Sequence, residues 1–265
     1  TEWIEENLSA ARANLSRELQ QFSRNTLEYL ERETDLAVMD FPMPPLRVSF
    51  RNRPALIVVR GEGYKQDLQW VLPYVREQRP VLIGVDGGGD ALLEAGFRPH
   101  VILGDMDSAS DAALRCGAEL VLQTYLDGRP SPGAERLQQL GLSFLELPAP
   151  GTSEDVAMLL AHQGGASVLV AVGTHFSLVE FLDKRRAGMA STFLTRLRVG
   201  SVLVDAKGLN RLYRPGASPA LLAGMALSAL LPILVVISQS PPLRNWLGLL
   251  GMTIEVWLRR HGLRW

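Results

Sequence analysis

Cysteine is nearly missing from this chain: Cys116 is the only one among 265 residues. That excludes an intramolecular disulfide framework and a metal site built from several thiolates. A surplus of either charge is missing too, with 27 basic against 28 acidic residues and a formal net charge of −1. Without a global basic field, bulk binding to nucleic acid is not expected. The opening TEWIEENLSAARANL is charged and polar, so it does not read as a signal peptide. It also lacks an initiator methionine, and a piece of a longer chain is expected. No internal repeat stands out. What is present is enough length for one sizeable α/β domain plus appendages.

Taken in order, residues 1–33 read as one long helix. Ile4, Leu8, Ala11, Leu15, Leu19, Phe22, Thr26 and Tyr29 recur at alternating spacings of three and four. Such a seam suits coiled-coil pairing, hence a homodimer, or a helix docked on its own domain. The Pro-rich FPMPPLR stretch (Phe41 to Arg47) ends the pattern as a linker. From residue 55 strands are predicted at 55–60, 81–85, 101–104, 119–122, 143–147, 167–172 and 201–205. Helices are predicted at 64–78, 88–95, 109–116, 133–140, 153–163, 176–186 and 188–198. Strands separated by helices predict an α/β fold with an open, mainly parallel sheet flanked by helices.

The composition changes after Arg214. Residues 215–243 contain no charged side chain, and about twenty such residues suffice to cross a bilayer. Pro232 within the run is tolerable in a membrane helix. The expectation is a transmembrane helix, with a buried core helix as the alternative. Lys207, Arg211 and Arg214 precede it, which favours a single-pass protein of the cell membrane with its α/β domain cytoplasmic. The tail, residues 244–265, carries Trp246, Trp257 and Trp265 and suits an interfacial amphipathic helix or a partner-binding one. Four segments result: 1–47, a coiled-coil-like helix and linker; 48–214, the α/β domain; 215–243, the span; and 244–265, the tail.

The chemistry concentrates in VLIGVDGGGDALLEAGFRPHVILGDMDS, residues 81–108. Two short apolar strands each run into a polar tip, Asp86-Gly87-Gly88-Gly89 and Asp105-Met106-Asp107-Ser108. In open α/β sheets ligands bind outside the carboxyl ends of the strands. Three glycines allow backbone N–H groups to approach an anion, although most Gly-rich turns are only turns. Asp105 and Asp107, two residues apart on a tight turn, can converge on Mg²⁺, although an isolated Asp-x-Asp is more often a cap or a solvated loop. Together they predict a phosphate-plus-metal site. A third tip, LPAPGTSEDVAMLLA, offers Thr152 or Ser153 as a helix N-cap with Glu154 and Asp155 in the first turn. Asp155 is either that cap's acid or a third carboxylate beside a metal-bound nucleotide. A fourth tip, Gly173-Thr174-His175, suits phosphate at a helix N-terminus; taken alone, His175 is more often structural.

These residues resemble a known enzyme family. VDGGGDALLEAGFRPHVILGDMDS is similar to the catalytic-domain pattern of thiamine pyrophosphokinases: an Asp-Gly-Gly turn, a Pro-Asp before the strand, and Gly-Asp-x-Asp-Ser. Here His100 takes the place of the Asp in Pro-Asp. GTSEDVAMLLA, VGTHFSLVEFLDKRRAGMASTFLTRLRVGS and VDAKGLNRLYR resemble more closely the SteA family of cytokinetic ring proteins of Gram-positive bacteria. The resemblance covers about residues 25–215. It implies an ATP-binding fold shared with an enzyme that moves pyrophosphate from ATP to an alcohol. Asp105 and Asp107 would hold Mg²⁺, Asp86 to Gly89 with Ser108 would line the phosphate pocket, and Asp155 would match the second acidic motif. A nucleotide or phosphorylated small molecule is the implied ligand, and cell-division proteins are the implied partners. Two departures matter. The Lys-Asp-x-Thr-Asp of the kinases reads Gly151-Thr152-Ser153-Glu154-Asp155, and their Gly-Arg-x-Asp-His reads Gly173-Thr174-His175-Phe176. The thiamine-binding β-domain has no counterpart, so a thiamine site is not expected. A ligand-binding protein of cell division or wall remodelling is the leading expectation; an active diphosphokinase on another alcohol is the alternative.

Overall fold

The computed structural model describes residues 40–126, 131–174, 188–212 and 219–242, parts of a helix between 14 and 28, and positions 245, 249 and 252. The chain divides into two compact units, Thr1–Arg214 and Pro215–Trp265.

In the first unit seven strands form one sheet: β1 (Pro54–Val58), β2 (Val81–Val85), β3 (Val101–Gly104), β4 (Glu119–Thr124), β5 (Leu145–Pro148), β6 (Val168–Val172) and β7 (Leu203–Asp205). Their order is β5-β4-β3-β2-β1-β6-β7, and every pairing is parallel. The helices are α1 (Tyr64–Gln78), α2 (Gly88–Glu94), α3 (Asp111–Leu114), α4 (Pro132–Gln139), α5 (Ser153–Gln163), α6 (Gly188–Val199) and α7 (Ala206–Leu212). The strands are short apolar runs because helices cover both faces of the sheet. Side chains alternate between those faces. Ile57, Ile83, Leu103 and Val121 join one core with Val156 to Ala161 of α5. On the other face Leu56, Leu82 and Val170 meet Leu68 and Val71 of α1, while Ile102 and Leu122 meet Leu114 and Leu137.

The chain steps outward from β1 to β5 and then returns through α5 to lay β6 beside β1. Helix α5 is buried along most of its length, from Asp155 to Ala161, as befits a helix apolar on all sides. Every strand's carboxyl end lies along one edge, where all four polar tips emerge.

The second unit contains α8 (Pro219–Gln239). Here the structure corrects the sequence reading. No helix among the described residues is long and apolar enough to cross a membrane. Pro232 inside α8 also removes a backbone hydrogen bond. The expected transmembrane helix, and the single-pass cell-membrane location drawn from it, are overturned. Residues 29–39, the predicted helix 176–186 with His175, and most of the tail lie outside the described residues. In the N-terminal stretch the described positions between 14 and 28 are helical.

Candidate functional site

The tips of β2 and β3 are built from backbone conformations that side chains rarely adopt. Asp86 has φ +47° and Met106 φ +66°. An aspartate tolerates the left-handed region better than most residues, and a methionine does not. Two neighbours hold it there. Asp86 Oδ1 accepts a hydrogen bond from the Met106 N–H at 3.0 Å. The Met106 side chain is fully buried among Ala109, Leu114, Leu122 and Leu137. Turning Met106 inward turns Asp105 and Asp107 outward, and both are exposed. The Asp107 N–H donates to Asp105 Oδ1 at 3.0 Å, closing the turn.

Gly104 is required by this packing. A Cβ there would sit 1.8 Å from Asp86 Oδ1. Burial, reinforced by the Asp105 charge, pushes the Asp86 carboxyl up to about 7, against the pull of the Met106 N–H and Ser153. Two carboxylates from adjacent strand tips therefore face each other, with Ser153 of the third tip beside them. Ser108 ties the tips further: its Oγ accepts from the Gly87 N–H at 3.2 Å. Ser110 bonds the Asp90 carboxylate through both its N–H and its hydroxyl.

Beside these tips lies a cavity of about 600 Å³. Asp105, Asp107, Thr152 and Ser153 line it, together with Gln123 to Leu126, Ser131 and Pro132. Of the residues named from sequence, these four are brought together there, with Asp86 in contact behind Asp105. Gly87, Gly88 and Gly89 are not on its wall. A Cβ on Gly88 would lie 1.9 Å from the Val58 carbonyl oxygen, and one on Gly89 would lie 2.9 Å from Ile102 Cδ1. Those glycines let α2 pass close over β1 and β3.

Asp155 is placed elsewhere. It is 0 % exposed and completes a capping box at the start of α5. Its Oδ2 accepts from the Thr152 N–H at 3.2 Å, Thr152 Oγ1 at 2.8 Å, Ser191 Oγ at 2.6 Å and Thr192 Oγ1 at 3.2 Å. Burial nevertheless holds its carboxyl above the usual range. Its contacts are those of a helix cap locked to α6. Gly173 and Thr174 face a second cavity at the ends of β6 and β7. His175 lies outside the described residues.

Sequence reasoning missed the β4 wall (Gln123 to Leu126) and Arg136. Gln123 Nε2 donates to the Ala149 and Gly151 carbonyls at 3.1 and 3.0 Å, fixing the loop ahead of α5. Arg136 donates to the Met106 carbonyl and pairs with Asp111 at 2.7 Å, so it holds the acidic turn from behind. The strand-tip rule applied to β4 would have found the first group.

The carboxylates suit a hard cation. Asp105 and Asp107 supply oxygen donors, and no group of three or more His, Cys, Asp or Glu residues forms a metal cage among the described residues. That donor set fits Mg²⁺, which commonly keeps several waters and takes one or two carboxylates plus ligand phosphate.

No curated protein matches this chain. Among solved structures it is similar to thiamine pyrophosphokinase from Bacillus subtilis, at 19% identity and a TM-score of 0.34. That match covers 57% of this chain and 60% of the other. Residues 207–258 match the family model described as SteA-like C-terminal domain. Over those residues, from α7 into the second unit, the chain is similar to that domain.

Proposed function

We propose that the α/β unit binds a nucleotide or another phosphorylated ligand together with Mg²⁺ in the cavity at the β3, β4 and β5 tips. One observation carries this reading: the inward turn of Met106, which sets Asp86 against Asp105 and presents Asp105 and Asp107 to a cavity of about 600 Å³. Strained residues that crowd like charges together persist where a ligand uses them. Asp105 and Asp107 would hold the cation, which when bound neutralises charge on phosphate oxygens. Ser153, the first residue of α5, offers its backbone N–H to a phosphate. Tyr125 and Leu126, 51% and 65% exposed at the rim, offer apolar surface to a base or another ring.

Isothermal titration of the full chain with ATP, ADP and AMP, with and without Mg²⁺, tests it. The expected result is metal-dependent binding that Asp105→Asn and Asp107→Asn each weaken by about tenfold or more. Equal binding by the double variant refutes the assignment. AMP release from ATP, lost in that variant, would make the protein a diphosphokinase rather than a binder. The role in cell division through partner proteins rests on the SteA resemblance. Its check is whether an Asp105→Asn, Asp107→Asn allele supports normal septation; full support would detach the site from that role.

A further inference from the structure

A second cavity, of about 550 Å³, opens at the ends of β6 and β7, against α1 and α7. Its volume lies within the range of about 300–1,000 Å³ typical of small-molecule sites. Asp67, Gly173, Thr174, Asp205 and Lys207 line it. Most of its polar groups are already engaged. The Arg196 guanidinium reaches Asp205 Oδ1 and Oδ2 at 3.3 and 3.4 Å and Thr174 Oγ1 at 2.8 Å. Thr174 Oγ1 itself donates to Asp205 Oδ1 at 3.3 Å.

Asp67 is different. It is 6% exposed, lines the cavity, and has no hydrogen-bond or ion-pair partner among the described residues. Burial pushes its carboxyl above the usual range, Lys207 pulls it back and the Asp205 charge adds to the rise. Its place in the first turn of α1 favours an acid, but by only about 0.3–1 kcal/mol. Burying a carboxylate without partners costs several times that. The helix dipole does not explain why an acid stands here.

We propose that this cavity binds a small zwitterion of the α-amino acid class, its ammonium group on Asp67 and its carboxylate on Lys207. The interior end presents Asp67 with Asp205 nearby, so it selects a cation. Lys207 also lines the cavity and is exposed, so it selects an anion. Because Asp205 is already paired with Arg196, Asp67 meets a ligand without a second free carboxylate, which suits an organic ammonium better than a metal ion. A bare phosphate would meet the two carboxylates and be repelled. This site is separate from the nucleotide cavity and shares no lining residue with it.

The test is titration of the full chain with the common α-amino acids, with ethanolamine as the ammonium lacking a carboxylate and acetate as the carboxylate lacking an ammonium. At least one amino acid is expected to bind, and both truncated probes to bind more weakly. Asp67→Asn is expected to weaken that binding about tenfold to a hundredfold, because a charge-assisted hydrogen bond is lost. Lys207→Ala, at an exposed position, is expected to weaken it by up to about fivefold. Neither variant should change Mg²⁺–ATP binding. The proposal is overturned if no amino acid binds or if both variants bind as the parent does. Should Asp67→Asn fail to fold, Lys207→Ala decides alone.

Discussion

His100 opens the way into β3 and clips three strands together. Its Nδ1 accepts from the Leu82 N–H at 2.9 Å. Its own N–H donates to the Leu82 carbonyl, and its carbonyl accepts from the Glu119 N–H, each at 2.9 Å. Only an imidazole with an unprotonated Nδ1 can make the first of these bonds. Burial, with the Arg53 charge, holds the ring below its usual value. The sign follows: the unfolded chain takes up this proton near pH 6.5 and the folded chain only at lower pH. Between the two the unfolded state binds more protons, so stability is full above about pH 6.5 and falls as the pH drops through the folded value. The ring is partly exposed, so the hydrogen bond is worth about 1 kcal/mol rather than the larger value of a sealed site. For a chain of this size that is roughly 2–4 °C in melting temperature. Urea unfolding of the parent, His100→Ala and His100→Asn at about pH 8 and about pH 5.5 measures it. His100→Ala should be less stable by about 1 kcal/mol at the higher pH and by much less at the lower. His100→Asn retains an acceptor, so its stability should depend less on pH than the parent's. If the gap between His100→Ala and the parent is the same at both pH values, the argument for a neutral acceptor fails.

Gly88→Ala places a Cβ 1.9 Å from the Val58 carbonyl oxygen, where backbone must move. The expected loss is about 3 kcal/mol, read by chemical denaturation. Thr152→Ala removes one half of the α5 capping box and should cost about 1 kcal/mol, with Thr152→Ser recovering most of it. Asp155→Ala should cost more than Thr152→Ala, because Oδ2 accepts from four donors, two of them on α6. Equal losses would show that α6 is held by other contacts. Leu15 and Leu19 are exposed on the N-terminal helix; if that row pairs two chains, Leu15→Glu with Leu19→Glu should convert a dimer to a monomer in sedimentation. A parent that sediments as a monomer would end that idea.

The sheet was legible because parallel strands covered on both faces read as unbroken apolar runs. The expected 81–85 and 101–104 coincide with β2 and β3. The acidic tip's place at the carboxyl edge of the sheet was legible for the same reason, since polar residues that end such runs emerge there. The β4 wall was not. The prediction stopped at residue 122 where polarity begins, but pairing of Gln123 with Leu147 and Thr124 with Pro148 carries the strand onward. That information resides in β5, far along the chain. Asp155 was equally readable as cap or ligand from its neighbours. Ser191 and Thr192, some 36 residues later, supply two of the hydrogen bonds to its carboxylate, and no local pattern could supply them. The membrane reading rested on the lack of charge over residues 215–243, and lack of charge alone does not make a helix long and apolar enough to span.

The sheet order has a consequence for how the two cavities respond to change. Between the tip that carries Asp105, on β3, and Thr174, after β6, lie β2 and β1. At about 4.8 Å per strand, roughly 14 Å of densely packed backbone separates the two. Substitutions that far apart with no common partner usually add within about 0.5 kcal/mol. The central strands act as an insulating wall, so one cavity can be remodelled by mutation while the other keeps its affinity. A double-mutant cycle across Asp105 and Asp67 should close near zero.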